Sequence, residues 1–274
     1  MIELPESYVL MDQIISEVKG KKIIRAAADH TPHAFARYTG DPAEYNEKLA
    51  DKTITGADIY SGNLRIRAGD MILILTTPVR FHKKGEKLPE KHQLYLEFED
   101  ASSITCTVQM WGCMYCFQEK DANGIPETHV INKNPTPLED SFDEGFFKSL
   151  LQNKKLSSLP AKAFLATEQR IPGLGNGAAQ DILFTARIHP KRKMSTLSDP
   201  ELNVLFKAVK SVLSDMRNNG GRDTEYDLYG RKGGYRTILS KNTANKPCPI
   251  CSTLIKKESY LGGSIYFCEQ CQKL

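Results

Sequence analysis

The chain has 274 residues, of which 40% are hydrophobic and 26% charged, and its formal net charge is +4. That composition belongs to a globular protein large enough for two cores. No apolar run approaches the ~18 residues that span a bilayer, and the acidic start MIELPES lacks the order of a secretory signal. A soluble cytoplasmic protein with no membrane partner is therefore expected.

In chain order, residues 6–19 (ESYVLMDQIISEVK) place Val9, Leu10, Ile14, Ile15 and Val18 at three- and four-residue spacings. With Pro5 where a first-turn proline is tolerated and Gly20 as a stop, the pattern predicts a helix. From Lys22 to Phe117 the pattern turns strand-like: MILILTT, HQLYLEF and SITCTVQM are β-branched or alternating runs cut by Gly, Pro and Asp. Residues 119–140 are polar and proline-punctuated and read as a linker. Helices return in DEGFFKSLLQN and AKAFLATEQR. Ser198-Asp199-Pro200-Glu201 forms a capping box ahead of a long helix with Leu202, Leu205, Val209, Val212, Leu213 and Met216 on its apolar face, stopped at Gly220-Gly221. No internal repeat or low-complexity tract interrupts this order.

Charge divides along the same line. Residues 1–140 hold 16 Lys and Arg against 21 Asp and Glu, a balance of −5, whereas residues 141–274 hold 21 against 12, a balance of +9. A basic C-terminal half points to a polyanion partner, although a solvated face gives the same asymmetry.

The strongest chemical signal is Cys248-Pro-Ile-Cys251 and, sixteen residues on, Cys268-Glu-Gln-Cys271. Two CxxC pairs so spaced bring four thiolates around one structural Zn²⁺. Between them, LIKKESYLGGSIYF reads as two strands hinged on Gly262-Gly263. A piece this small builds no core of its own, so metal would supply its folding energy. Disulfides are the alternative, and an intracellular setting counts against them. Cys106, Cys113 and Cys116 sit in apolar runs and read as buried strand cysteines. A second motif, RIPGLGNGAAQDILF (170–184), runs through Gly173, Gly175 and Asn176 into a helix. Asn176 is expected to cap that helix while turn amides face outward as a small anion site. A ligand-free helix–helix turn explains this motif equally simply. Lys191-Arg192-Lys193 adds positive charge after the helix.

Taken in order, the start ELPE, the β-rich first half, IPGLGN…ILFTARIHP, the tail YGRKGGYRT and the terminal CEQCQK resemble the formamidopyrimidine-DNA glycosylase / endonuclease VIII family over nearly the whole chain. The resemblance implies an α+β protein. Its parts are an N-terminal β-sandwich with a leading helix (1–125), a linker (126–140), a helix-two-turn-helix domain (141–243) and a C-terminal β-hairpin zinc finger (244–274). It implies double-stranded DNA, damaged or abasic, held between the halves by a monomer, with the damaged nucleotide flipped out. Asn176, with the amides around Gly173 and Gly175, would contact phosphate. Trp111 falls where the family inserts a loop into DNA and stacks on an unpaired base, unless it is simply a buried strand-end residue. Tyr235 and Arg236 fall near the family's lesion-covering loop. In a bacterial cell such a protein sits on the nucleoid.

The family's nucleophile is an N-terminal proline exposed by removal of the initiator methionine, followed by a proton-handling glutamate. Here the glutamate is Glu3, but Ile2 stands where the proline belongs. Methionine is usually kept before isoleucine, which leaves the free amine on Met1. If Met1 is lost, Ile2 offers a primary amine of pKa roughly 7.7–8.0. Other family landmarks differ as well: Asn63 replaces a lysine, Gln109-Met110-Trp111-Gly112 an arginine-rich loop, Gly263 an arginine, and Thr77 a methionine. Three functions follow as alternatives. The first is a DNA glycosylase with Glu3 activating water or a primary amine as nucleophile, and with weak or no strand cleavage at abasic sites. The second is a non-catalytic reader of damaged, abasic or bent DNA. The third, a zinc-containing protein adaptor, leaves the basic half and the glycine turn unexplained. A helix-start acid is the plain alternative for Glu3, and Glu6 already fills that place.

Overall fold

The computed structural model describes residues 1–124 and 132–274. Two compact units are each assembled from separate stretches of chain. Unit 1 holds Met1–Ile2, Glu6–Glu127 and Glu225–Lys232, and unit 2 holds Glu3–Pro5, Thr128–Thr224 and Gly233–Leu274.

In unit 1 the leading helix, α1 (Leu4–Val18), carries Pro5 in its first turn, and Gly20 follows it at φ 88°. Leu10, Ile14 and Val18, four residues apart, bury the same face. The strands that follow are β1 (Ile23–Ala28), β2 (Ala36–Tyr38), β3 (Ile54–Tyr60), β4 (Asn63–Ala68), β5 (Met71–Leu75), β6 (Val79–His82), β7 (Leu94–Phe98), β8 (Ser103–Cys106) and β9 (Gly112–Gln118). A short helix, α2 (Tyr45–Leu49), interrupts them. They form a four-stranded sheet in the order β1-β7-β8-β6 and a five-stranded sheet in the order β2-β9-β5-β4-β3. One cluster joins them: Leu94, Leu96, Phe98 and Ile104 from the first sheet, and Leu64, Ile66, Leu73 and Met114 from the second. Two sheets closing on one apolar layer make the expected sandwich.

The segment Glu225–Lys232 also folds in unit 1. Leu228 is fully buried in the sandwich core; its carbonyl accepts from Phe81 N–H at 2.9 Å and its N–H donates to Gln13 Oε1 at 2.9 Å. Tyr229 presents its ring edge to Phe81 and donates its hydroxyl to Glu17 at 2.8 Å. Of the expected linker, residues 125–131 lie outside the described residues, and Glu119–Gly124 form a short 3-10 helix.

Unit 2 contains α3 (Glu144–Ser149), α4 (Lys154–Ser157), α5 (Ala161–Ala166), α6 (Asn176–Thr185) and α7 (Asp199–Asn218). The capping box of α7 forms as read, with Ser198 N–H donating to Glu201 Oε2 at 2.8 Å. Leu205, Val209, Val212, Leu213 and Met216 are buried and Leu202 is half-buried. Every residue of α6 from Ala178 to Phe184 is buried, so this helix is apolar-packed all round. The C-terminal hairpin pairs β10 (Lys256–Tyr260) with β11 (Gly263–Phe267) in antiparallel register, Tyr260 opposite Gly263. Its two-residue turn is Leu261-Gly262, both at positive φ, rather than the expected Gly262-Gly263. A two-residue hairpin turn of this type needs two successive left-handed residues, and Gly263 is already in the strand.

Candidate functional site

The N-terminus and the glycine turn meet in one place. Leu4 N–H donates to Gly173 O at 2.7 Å, which sets Glu3 against the start of α6. The Glu3 carboxylate accepts the Gly177 N–H on Oε1 and the Ala178 N–H on Oε2, each at 2.9 Å. These are donors of the first helical turn, which have no partner within the helix. The expected cap, Asn176, is thus corrected: α6 has Gly175 at its N-cap without a side-chain bond, and the anion at its start is Glu3. A full negative charge brought in from elsewhere satisfies two amides and the helix dipole together, which a neutral amide side chain does less well. Two of the turn amides are engaged within the turn. Gly173 N–H donates to Gln169 Oε1 at 2.8 Å and Leu174 N–H to Ile171 O at 3.1 Å.

A third donor reaches the same carboxylate. Arg222 Nη1 lies 3.2 Å from Glu3 Oε1, with the side chains 3% and 12% exposed. The glycines of the motif make room for this arrangement. A Cβ on Gly175 would fall 2.5 Å from Glu3 Cδ, and one on Gly177 would fall 1.7 Å from Arg222 Nη1. Ile2 belongs to unit 1: its side chain is 7% exposed in the sandwich core, and its nitrogen donates to Thr76 O at 2.9 Å. Met1 is exposed.

Asn176 faces the cysteine hairpin instead. Its Nδ2 donates to Ser264 O at 3.0 Å, joined there by Gln180 Nε2 at 3.1 Å. Its Oδ1 is buried with no hydrogen-bond partner among the described residues. Lys162, 4% exposed on α5, donates Nζ to Tyr260 O, and burial holds its ammonium below the usual lysine range. Gly263 lies beside both groups: a Cβ there would be 3.5 Å from Lys162 Nζ and 3.9 Å from Asn176 Nδ2.

The four C-terminal cysteines converge. Cys248, Cys251, Cys268 and Cys271 place all four sulfurs within 4.8 Å of one another, with sulfur pairs at 3.4, 3.5 and 3.8 Å. Four ligands on a tetrahedral zinc with Zn–S bonds of about 2.3 Å stand about 3.8 Å apart, so the donor set fits that ion in number, chemistry and spacing. Cys106, Cys113 and Cys116 are buried in β8 and β9, where burial pushes their thiols up to about 12, 11 and 12. Thiols held protonated in this way are unreactive.

Trp111 is half-buried just before β9. Phe35 adjoins it in the parallel ladder and Met110 precedes it in sequence, and these two side chains are 54% and 79% exposed. Tyr235 hydrogen-bonds Asp181, a fully buried α6 carboxylate that also accepts Ile238 N–H at 2.9 Å and Leu239 N–H at 2.7 Å. Burial raises the Tyr235 hydroxyl above its usual range and pushes the Asp181 carboxyl up to about 6. Arg236 is exposed. Asn63 is buried at the start of β4, donating Nδ2 to Ser61 O at 3.0 Å, and Thr77 is fully buried. Arg222, Lys162 and Asp181 carry no motif; charge within an otherwise apolar helix marks Lys162 and Asp181, and nothing local marks Arg222.

Comparison with known proteins points to one family. Residues 134–225 match the family described as "Formamidopyrimidine-DNA glycosylase H2TH domain". The formamidopyrimidine-DNA glycosylase of Listeria innocua is 31% identical over 268 residues, covering 96% of this chain and 92% of that protein. Its counterpart from Mycoplasma mobile is 27% identical over the full length of both. Among solved structures, Lactococcus lactis Fpg in complex with DNA containing an abasic site superposes with a TM-score of 0.85 at 23% identity. It covers 99% of this chain and 100% of that one. The MutM (Fpg) protein of Thermus thermophilus gives 0.81 at 24% identity, with 98% of each chain covered.

Proposed function

Because the chain belongs to the formamidopyrimidine-DNA glycosylase family, we propose that it is a base-excision DNA glycosylase that acts on damaged duplex DNA and relies on Glu3 in place of an N-terminal proline. The observation that carries this reading is the Glu3 carboxylate, fixed by two amides at the start of α6. A carboxylate so held is aligned without being consumed by the fold, which is the arrangement proton transfer needs.

The step we assign it is hydrolysis. Water attacks C1′ of the damaged nucleotide as the bond from C1′ to the base breaks; Glu3 takes the proton from water, and the departing base takes up the electron pair and a proton. Ile2 supports this over imine chemistry. While Met1 is in place, the nitrogen of Ile2 is an amide, and it donates to Thr76 O. We therefore assign weak or absent strand cleavage at abasic sites.

Damaged or abasic DNA is proposed as the partner, and the chain as a monomer. Support comes from the +9 balance of residues 141–274 and from the abasic-site complex of the Lactococcus lactis relative. Asn176 and Lys162 are the phosphate contacts we favour, an amide and an ammonium that both flank Gly263. A zinc ion held by Cys248, Cys251, Cys268 and Cys271 would fold the hairpin, and with four protein ligands it offers no open position for substrate. Release of free base from oxidised and alkylated duplexes, compared between the wild type and Glu3→Gln, tests the reading. A second reading, a non-catalytic reader of damaged, abasic or bent DNA, is favoured by the burial of Ile2 in the core. It would be adopted if no duplex is cut at the glycosidic bond while binding stays tight.

A further inference from the structure

We infer that Arg222 is a positioning residue for Glu3, whose guanidinium pairs with Oε1 and leaves Oε2 as the oxygen that exchanges the proton. This rests on the glycosylase reading above and assigns the two oxygens of that carboxylate different tasks. Each carboxylate oxygen accepts about two hydrogen bonds in its plane. Oε1 accepts the Gly177 N–H at 2.9 Å and is ion-paired with Arg222 Nη1 at 3.2 Å. Oε2 is met by the Ala178 amide alone, at 2.9 Å. The guanidinium stabilises charge on Oε1, so the proton goes to Oε2, on a side chain that retains 12% of its exposure.

The placement of Arg222 is specific. It is 2% exposed, and a guanidinium buried so fully is costly unless it is paired. Its charge also acts on Asp181, the other carboxylate of α6. Gly177 carries no side chain where Arg222 Nη1 passes, and Gly233 packs on the backbone at Gly221 and Arg222, where a Cβ would fall 2.2 Å from Gly221 C. The missing side chain at Gly177 thus gives the guanidinium passage to Glu3, and Gly233 lets the backbone that carries the arginine pack closely. In the reaction, water gives its proton to Oε2 as its oxygen bonds to C1′ and the C1′–base bond breaks; the base leaves with the electron pair and takes up one proton, which returns Glu3 to the carboxylate. The guanidinium keeps its own protons throughout and opposes rotation of the carboxylate, which would exchange the two oxygens.

The test uses the full-length, zinc-loaded chain with Arg222→Ala, Arg222→Lys, Glu3→Gln and the Glu3→Gln/Arg222→Ala double variant. Amide hydrogen exchange at Gly177 and Ala178 reports on the carboxylate whether or not the chain is an enzyme. It should quicken at least about tenfold in Arg222→Ala and by less in Arg222→Lys. Single-turnover base release should fall on the order of 10- to 100-fold in Arg222→Ala with DNA affinity kept within about threefold. Millimolar guanidinium chloride should restore part of the loss where sodium chloride does not. The double variant should be no slower than Glu3→Gln. Unchanged exchange at Gly177 and Ala178 overturns the inference. So does a loss of DNA affinity that accounts for the loss of rate, which would make Arg222 a phosphate ligand. Should Arg222→Ala fail to fold, Arg222→Lys and Arg222→Gln carry the same exchange and rate measurements. A wild type that releases no base from any duplex defeats the glycosylase reading, and the exchange data still decide whether Arg222 holds Glu3.

Discussion

Asn176 donates its side-chain amide to the carbonyl of Ser264 at 3.0 Å, so the helix whose start is capped by Glu3 is also the helix on which the cysteine hairpin rests. Gln180, one turn on, bonds one edge of β11 twice, donating to Ser264 O and accepting from Tyr266 N–H at 3.1 Å. His189, past the end of the helix, meets the Phe267 ring edge-on at 4.5 Å. Metal site, hairpin and Glu3 carboxylate therefore share α6 as a common support within unit 2.

The metal follows first. One zinc per chain is expected, and Cys268→Ser should release it and abolish DNA binding, because a hairpin of this size has no core to hold its strands without the ion. A chelator should do the same. Elemental analysis without zinc, or a mutant that binds DNA fully, would be incompatible with this account. Loss of base release with DNA binding intact would mean that the metal has been assigned the wrong task.

Asn176→Ala should weaken binding to all duplexes alike, since contacts to phosphate position DNA without reading its sequence. The buried Oδ1 without a partner in the free protein is the group that a phosphate-bound water or a rearranged hairpin would satisfy. Titrations on matched and lesion-containing duplexes decide it. Normal affinity, or a loss confined to one sequence, counts against the assignment.

Gly177→Ala inverts an ordinary rule. Replacing glycine by alanine in a helix usually stabilises by up to about 1 kcal/mol. Here the new methyl group would lie 1.7 Å from Arg222 Nη1 and 2.9 Å from Glu3 Oε1, inside a site where Arg222 has little room to move. We expect no gain in melting temperature and a fall in base release of at least about tenfold. A more stable and fully active variant would show that Arg222 steps aside freely.

Asp181 gives a pH signature. Its carboxyl is pushed up to about 6 by burial, from an ordinary value of 3.8. A raised folded value means that the native state holds the proton more tightly than the unfolded chain. The stability this contributes is full below about pH 4 and is lost as pH rises through about 6. Asp181→Asn has no such proton. The melting temperature of the wild type relative to this variant should therefore decline between about pH 4 and 7 and level off above. A difference that is flat over that window refutes the assignment.

What could be read from the sequence was what is local. The capping box at Ser198 and Glu201, the apolar face of α7, the alternation in HQLYLEF and the two CxxC pairs lie within a few residues of what they specify, and each is found in the structure. The cap of α6 was misread because the local rule favours asparagine, while the group that won stands 174 residues away in sequence. Arg222 was invisible for the same reason: nothing in its neighbours sets it apart from the other 36 Lys and Arg. The return of Leu228 to the sandwich core likewise carries no periodicity, since a single apolar residue in DLYG depends on the partner surface and not on its own segment.

The altered terminus carries the sharpest expectation. A secondary amine at position 2 would give efficient imine formation and elimination, and this chain encodes none there. With Met1 in place, the α-amine belongs to Met1, one residue out of register, while the nitrogen of Ile2 donates to Thr76 O. Wild type should therefore nick abasic duplexes weakly or not at all and give little borohydride-trapped adduct. Intact mass spectrometry should find Met1 retained. Base release, in contrast, should depend on Glu3. Glu3→Gln keeps the shape and one carbonyl acceptor for the α6 amides, but it cannot take a proton from water. It should abolish release, with DNA affinity unchanged or slightly raised, because a negative charge near phosphate is gone. Ile2→Pro completes the comparison on oxidised, alkylated and abasic duplexes. If Met1 is still retained in that variant, proline alone restores no nicking, whereas processing of Met1 should bring trapping back. Strong borohydride trapping by the wild type would show that an amine nucleophile survives, and that Ile2, freed of Met1, acts as a primary amine in the proline's place.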